Sequence, residues 1–161
     1  MQQPTKDAEA DIRYRRATKT DAAVILTVLE EVAGEIPVLL DNPERKNLVF
    51  AHVQTCCDSG ESWMALTTND RVVGFLLAEP DAQERFFQAN QALHLPFGGV
   101  SRNHRGQHIF STLAEKIMAK GVPLTGTVKR ANKSGMAGRL LKLGFAKVSS
   151  GEDEDRLRWQ P

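Results

Sequence analysis

Gly98-Gly99-Val100-Ser101-Arg102-Asn103-His104-Arg105-Gly106-Gln107-His108-Ile109-Phe110 is the stretch whose reading decides the fold. It is a basic loop with glycines that follows an apolar segment and opens a helix. Ile109, Leu113 and Ile117, with Phe110, Ala114 and Met118, recur at helical spacing, while Glu115, Lys116 and Lys120 take the other faces. Gly121 ends that helix. Free N–H groups at a helix N-terminus, backed by the helix dipole, stabilise an anion, and Gly106 lets the backbone approach it closely. Arg105 adds a charge-assisted contact. The stretch therefore predicts a phosphate cradle on the amides around Arg105, Gly106 and Gln107. The plainer reading is a strand-to-helix connection that needs a glycine, with Arg105 solvated.

Upstream, residues 92–100 are apolar but carry Pro96, Gly98 and Gly99, which argues for a bulged or splayed strand. Two apolar runs, residues 62–67 and 71–78, flank Asn69-Asp70 as a hairpin would. Ahead of them Asn42 serves as an N-cap and Pro43 suits the first position of a helix whose apolar face is Val49, Val53 and Cys56, with Gly60 as its stop. An earlier helix, capped by Thr20 or Asp21, places Ile25, Val28, Leu29 and Val32 on one face and ends near Gly34 and Pro37. Residues 12–16 alternate as a strand, and residues 1–11 read as a flexible polar tail. Downstream, residues 122–129 are another strand, 133–143 a short helix closed by Gly144, and 145–149 with 156–159 a last hairpin across an acidic turn. The order predicts one α/β (α+β) domain over residues 12–161, with a mixed, mostly antiparallel central sheet flanked by helices.

The chain has 161 residues, 41% of them hydrophobic, which suits a single core. Its 21 Lys and Arg nearly balance 20 Asp and Glu, so no global field points to nucleic acid. Arg102, Arg105, Lys129, Arg130, Lys133 and Arg139 lack interleaved aromatics and suit a phosphate-rich cofactor better. No apolar run approaches the roughly 18 residues of a membrane span, and the first residues lack a signal-peptide core, so no membrane partner and a cytoplasmic location are expected. Cys56 and Cys57 are adjacent, where geometry disfavours a mutual disulfide; they read as reduced, small apolar residues with no local base. His52, His94, His104 and His108 show no ligand spacing backed by a second cluster, so no metal is assigned.

Strand, Val100, Arg105-Gly106, helix, strand, Asn132, helix and Leu143-Gly144-Phe145 together resemble the GNAT superfamily of N-acetyltransferases, over residues 12–148. Val73-Gly74-Phe75 after the Asn69-Asp70 turn resembles it too. The family's cofactor motif reads Arg or Gln, two residues, Gly, one residue, Gly or Ala. It falls on Arg105, His108 and Phe110, so both small positions are departures.

The resemblance implies a sheet splayed between its fourth and fifth strands and acetyl-CoA (coenzyme A) as co-substrate. It implies a diphosphate held over Arg105, Gly106, Gln107, His108, Ile109, Phe110 and Ser111, and a pantetheine arm pairing with backbone at Gly98 and Val100. Asn132 matches the family's asparagine after the fifth strand, which meets pantetheine or acceptor; a helix cap is the alternative. Glu79 and His94 stand where members place carboxylates or water-relaying groups, and are the candidate catalytic residues; a solvated strand end and a structural histidine are the alternatives. His104 and His108 flank the loop as cofactor neighbours. The tyrosine that members often use as an acid falls on Leu140, and the chain's one tyrosine, Tyr14, lies in the first strand.

The implied activity is direct acetyl transfer from acetyl-CoA to the amine of a small molecule or peptide. The alternative is a domain that binds acyl-CoA or a protein without catalysis, motivated by His108, Phe110 and Leu140. A modifier of tRNA or of a protein terminus is a third reading. A homodimer is expected if the last hairpin leaves an edge strand to cover.

Overall fold

The computed structural model describes residues 11–36, 38–85 and 91–161. Residues 1–10 of the expected tail, and Pro37 at the end of the first helix, lie outside these. Strand β1 (Arg13–Arg16) pairs antiparallel with β2 (Trp63–Leu66), and β2 with β3 (Val72–Leu76). Helices α1 (Ala22–Val32) and α2 (Pro43–Asp58) lie between β1 and β2 in the chain. The Asn42 side chain accepts from Arg45 N–H at 2.8 Å, as an N-cap should. Helix α1 starts differently from expectation. A 3-10 turn, Lys19–Asp21, precedes it, and the Asp21 carboxylate points backwards to accept from Thr18 N–H at 2.8 Å and from both Arg15 nitrogens at 2.8 and 2.9 Å.

Strands β2 and β3 are buried on both faces, which is why their sequences read as apolar runs without polar alternation. On one face Ile25, Leu29 and Val32 of α1 and Val53 and Cys56 of α2 pack on Met64, Phe75 and Leu77. On the other, helix α4 (Ile109–Met118) lays Ile109, Leu113 and Ile117 on Ala65, Val73 and Leu76. Burying each such aliphatic side chain contributes about 1.5–3 kcal/mol. No helix among the described residues is long and apolar enough to cross a membrane.

Residues 92–100 form two short strands, β5 (Leu93–His94) and β6 (Gly98–Val100), and it is their divergence that shapes the molecule. Together they face the chain of β3 and β4 (Glu79–Pro80): Gly74 pairs with Val100, Leu76 with Gly98, and Glu79 with His94. Beyond β4 the short helix α3 (Ala82–Arg85) begins. Strand β5 also pairs in parallel with β7 (Leu124–Lys129), Leu93 N–H donating to Pro123 C=O at 2.9 Å and Leu95 N–H to Thr125 C=O at 2.8 Å. The next residue of that alternation is Phe97, but after Pro96 the backbone turns: Phe97 C=O accepts from Leu77 N–H at 2.8 Å, and β6 leaves β7 to stay with β3. The expected splay is therefore present. It divides the sheet into β1-β2-β3-β6 and β4-β5-β7-β9-β8, the last two being Glu154–Trp159 and Ala146–Ser150.

Glycine 74 sets how closely α4 approaches. A Cβ there would lie 2.9 Å from Ile109 Cγ2. Gly74→Ala should displace the start of α4 and cost about 1–3 kcal/mol by overpacking, read as a shifted urea midpoint at unchanged slope. An unchanged midpoint would show that Ile109 moves freely.

Candidate functional site

The splay opens a cleft. In an antiparallel pair, backbone groups bond inwards and outwards alternately. Ser101 N–H donates to Val73 C=O at 2.8 Å and Phe97 C=O accepts from Leu77 N–H at 2.8 Å, so the groups of Gly98 and Val100 point away from β3, into the cleft. Two cavities meet there. One, of about 350 Å3, lies between β6 and β7 and is walled by Ile36, Phe97, Gly98, Val128, Asn132 and Leu140. The other, of about 370 Å3, lies over the loop into α4 and includes Val100, Arg105, Gly106, His108, Arg139 and Lys142. The Phe110 ring lines both and stands between them.

The second cavity has the character of an anion site. Thr112 N–H is the first amide of α4 to find a backbone acceptor, His108 C=O at 3.1 Å; the amides of Gly106 to Ser111 find none among the described residues. His108 takes the left-handed conformation, φ 58°, that a glycine at this motif position adopts without strain, and its carbonyl is pinned by the hydroxyls of Ser111 and Thr112 at 3.1 and 2.8 Å. Arg139 and Lys142 of helix α5 (Met136–Lys142) supply positive charge. Arg105 is engaged elsewhere: its guanidinium donates to Glu35 at 2.7 Å and to Val100 C=O at 3.3 Å. Gln107 does not line the cavity, and its Oε1 is buried without a hydrogen-bond partner among the described residues.

Glu79 and His94, the two candidate catalytic residues, are opposite each other in the β4–β5 pair and so share a face. A third residue joins them that sequence reasoning missed. His52 Nε2 on α2 lies 2.9 Å from both Glu79 oxygens, and its ring packs edge-on against Phe97 in the wall of the first cavity, centroids 5.2 Å apart. The available signal was its spacing of four residues from Cys56, which puts both on one helical face.

The tautomer of His94 follows from its neighbours. Hydrogen bonds from Thr125, Glu84 N–H and Arg156 hold the Asp81 carboxyl below its usual range although burial opposes its charge. Thr125 Oγ1 donates to Asp81, so it must accept from His94 Nδ1–H at 2.9 Å, which leaves His94 Nε2 with its lone pair. Burial, against the pull of Asp81 and Glu79, lowers the His94 pKa from its ordinary value and keeps the ring neutral.

No protein-family model and no curated protein matches the sequence. Solved structures do match the fold. An acetyltransferase of the GNAT family from Listeria monocytogenes superposes with a TM-score of 0.66 at 13% identity, covering 93% of this chain and 95% of its own. The fold is that of the GNAT acetyltransferases. Two further neighbours were solved with coenzyme A. The PaiA N-acetyltransferase of Thermoplasma acidophilum has a TM-score of 0.66 at 17% identity, over 94% of this chain and 99% of its own. The diaminobutyrate acetyltransferase of Paenibacillus lautus, which also holds its substrate, has 0.66 at 20% identity, over 94% and 95%.

Within the GNAT fold, one position differs from expectation. The helix predicted over 133–143 begins at Met136, behind Gly135 in the left-handed region at φ 78°, so Asn132 does not cap it. Instead Asn132 Oδ1 accepts from Ser134 N–H at 2.8 Å while the residue walls the first cavity. Leu140 is buried in that same wall, 3.6 Å from where a Cβ on Gly126 would lie, and offers no proton. Ile36 and Val38 after α1 line the first cavity, and next to them Lys133 N–H donates to Glu35 C=O at 2.7 Å.

Proposed function

We propose that the chain transfers an acetyl group from acetyl-CoA to an amine. The observation that carries this is the outward edge of β6, open between an amide-rich, cation-rimmed cavity and a cavity whose Phe97 wall touches His52 beside Glu79. Free amides at the start of α4, with Arg139 and Lys142, bind the diphosphate. Gly98 and Val100 pair with the pantetheine amides as an added strand would. The acceptor arrives as an ammonium ion; its proton passes to the Glu79 and His94 pair, Glu79 being oriented by His52. The freed amine attacks the thioester carbonyl, the C–S bond breaks, the nitrogen releases its second proton to solvent, and the thiolate takes one from solvent, since Leu140 has none to give.

A titration of melting temperature with acetyl-CoA tests the binding half. One site saturated to a hundred times its Kd stabilises by about 2.7 kcal/mol, and a flat response removes the reading. Release of free coenzyme A thiol across a panel of amines tests the transfer half. The buried Leu140 favours a second reading, binding of acyl-CoA without transfer. A rise in melting temperature with no thiol release from any amine would select it.

Glu35 holds both Arg105 and Arg102. If the diphosphate must draw Arg105 away, Glu35→Gln should tighten coenzyme A by roughly three- to tenfold, and calorimetry showing equal or weaker binding would refute that competition.

His94 sets a pH dependence. Its base form is the neutral one, and burial depresses its folded pKa below the ordinary histidine value of 6.5, so kcat/KM should rise with pH through a limb lying below 6.5 and be flat above it in the absence of other titrations. His94→Gln should abolish that limb. A limb above 6.5 that survives the substitution would assign it elsewhere.

A further inference from the structure

His52 and Cys56 are one turn apart on α2 and face the same way, and Glu79 reaches them from β4. The His52 Nε2, Cys56 Sγ and a Glu79 carboxylate oxygen all lie within 4.8 Å of one another. The N to O separation is 2.9 Å and the S to O separation 3.7 Å. A tetrahedral zinc ion, bonded at about 2.0–2.1 Å to nitrogen and oxygen and about 2.3 Å to sulfur, sets its ligand atoms about 3.3–3.6 Å apart. Two of the three separations therefore lie within about 0.5 Å of that range, and the third, nitrogen to sulfur, is bounded by 4.8 Å.

We propose that His52, Cys56 and Glu79 form a binding site for zinc or a similar borderline-soft divalent cation, with the fourth position open to water on the exposed side of His52.

The donor set is nitrogen, sulfur and oxygen, which suits zinc and disfavours magnesium or calcium. The frame that carries it is tied together. Just beyond α2, Ser62 Oγ accepts from Ala78 N–H at 2.9 Å and donates to Cys56 C=O at 2.9 Å, and the Ser59 hydroxyl lies 2.7 Å from Cys56 C=O and 3.0 Å from Ala78 C=O, directly before Glu79. Without a cation the thiol keeps its proton, because burial, then the neighbouring Glu79 carboxylate, push the Cys56 pKa up. A cation reverses both influences: Cys56 gives up its proton to solvent, the thiolate bonds to the metal, the His52 ring moves its proton from Nε2 to Nδ1 so that the Nε2 lone pair binds, and Glu79 exchanges its hydrogen bond from His52 for a metal bond. Cys57 points into the core apart from this cluster and is a built-in control. The site rests on its own geometry. If the acetyl-transfer reading also holds, the ion occupies the lone pairs of Glu79 that accept the amine proton, so zinc and transfer oppose each other.

The test is a titration of the full-length, metal-stripped protein with zinc against a chromophoric chelator, and with cobalt(II) as spectroscopic probe. Expected are one equivalent bound and a thiolate-to-cobalt charge-transfer band in the near ultraviolet. Cys56→Ser should abolish the band and weaken zinc by roughly tenfold or more, and Cys57→Ser should change neither. His52→Ala, at a partly exposed position, should weaken zinc by a similar factor and carries the test if Cys56→Ser does not fold. Absence of one-to-one binding, a band that survives Cys56→Ser, or zinc affinity unchanged in His52→Ala overturns the site. None of these readouts uses acetyl transfer, so failure of the site is distinguishable from failure of that function, which the acetyl-CoA titration reads.

Discussion

Glu79→Gln is expected to lower kcat by roughly two to four orders of magnitude while coenzyme A affinity stays within about twofold. The substitution keeps the shape of the side chain and leaves an oxygen to accept from His52 Nε2, so the wall of the cavity stands. It removes the group that takes a proton. Because Glu79 is on β4 and the amide cradle is at the start of α4, separated by the Phe97 and Phe110 walls, the cost should appear in turnover and leave cofactor binding alone. Initial rates of thiol release with a saturating amine, set beside calorimetry with coenzyme A, measure the two separately. A kcat within about threefold of the parent would move the base to His94 alone, and a parallel loss of coenzyme A binding would make Glu79 structural.

Phe110→Ala should have two opposed effects. The ring is 5% exposed and belongs to the main core, and truncating such a residue costs about 3–5 kcal/mol. The void here joins cavities of about 350 and 370 Å3 that already open to water, which puts the cost at the lower end. That corresponds to a melting temperature lowered by roughly 6–12 °C for a chain of this size. The same change removes the barrier between the amide cradle and the β6 edge, so acetyl-CoA should raise the melting temperature of the variant by more than it raises that of the parent. If the two increments are equal, the cofactor passes the ring without hindrance. The Arg139 guanidinium, 6.0 Å above the ring, also loses its partner, and Phe110→Leu separates that loss from the opening of the cleft.

Much of the scaffold is written in local patterns. The Asn42-Pro43 start of α2 and the apolar stripe of α4 depend on residues within a few positions of each other, and both appear as read. The splay was announced by Pro96, Gly98 and Gly99, because a missing N–H and two missing side chains are properties of single residues. The start of α5 was misplaced by three residues, since Asn132 satisfied Ser134 N–H in a turn and Gly135 then set the helix entry.

The site divides differently. The sequence by itself determined that a helix would begin after Arg105-Gly106 with free amides, and that His108 and Phe110 would replace small residues there. That His108 adopts the left-handed backbone at φ 58° is a local consequence, fixed by its own turn. Only the tertiary structure decided that Arg105 would be held by Glu35, 70 positions away, and that His52 and Cys56 would meet Glu79 across 27 and 23 positions. The reason is physical. Hydrogen-bonded turns and helical faces are set by neighbours in the chain, whereas the meeting of α2 with β4 is set by how two apolar faces pack around Met64, Phe75 and Leu77, and no single stretch of sequence contains that contact.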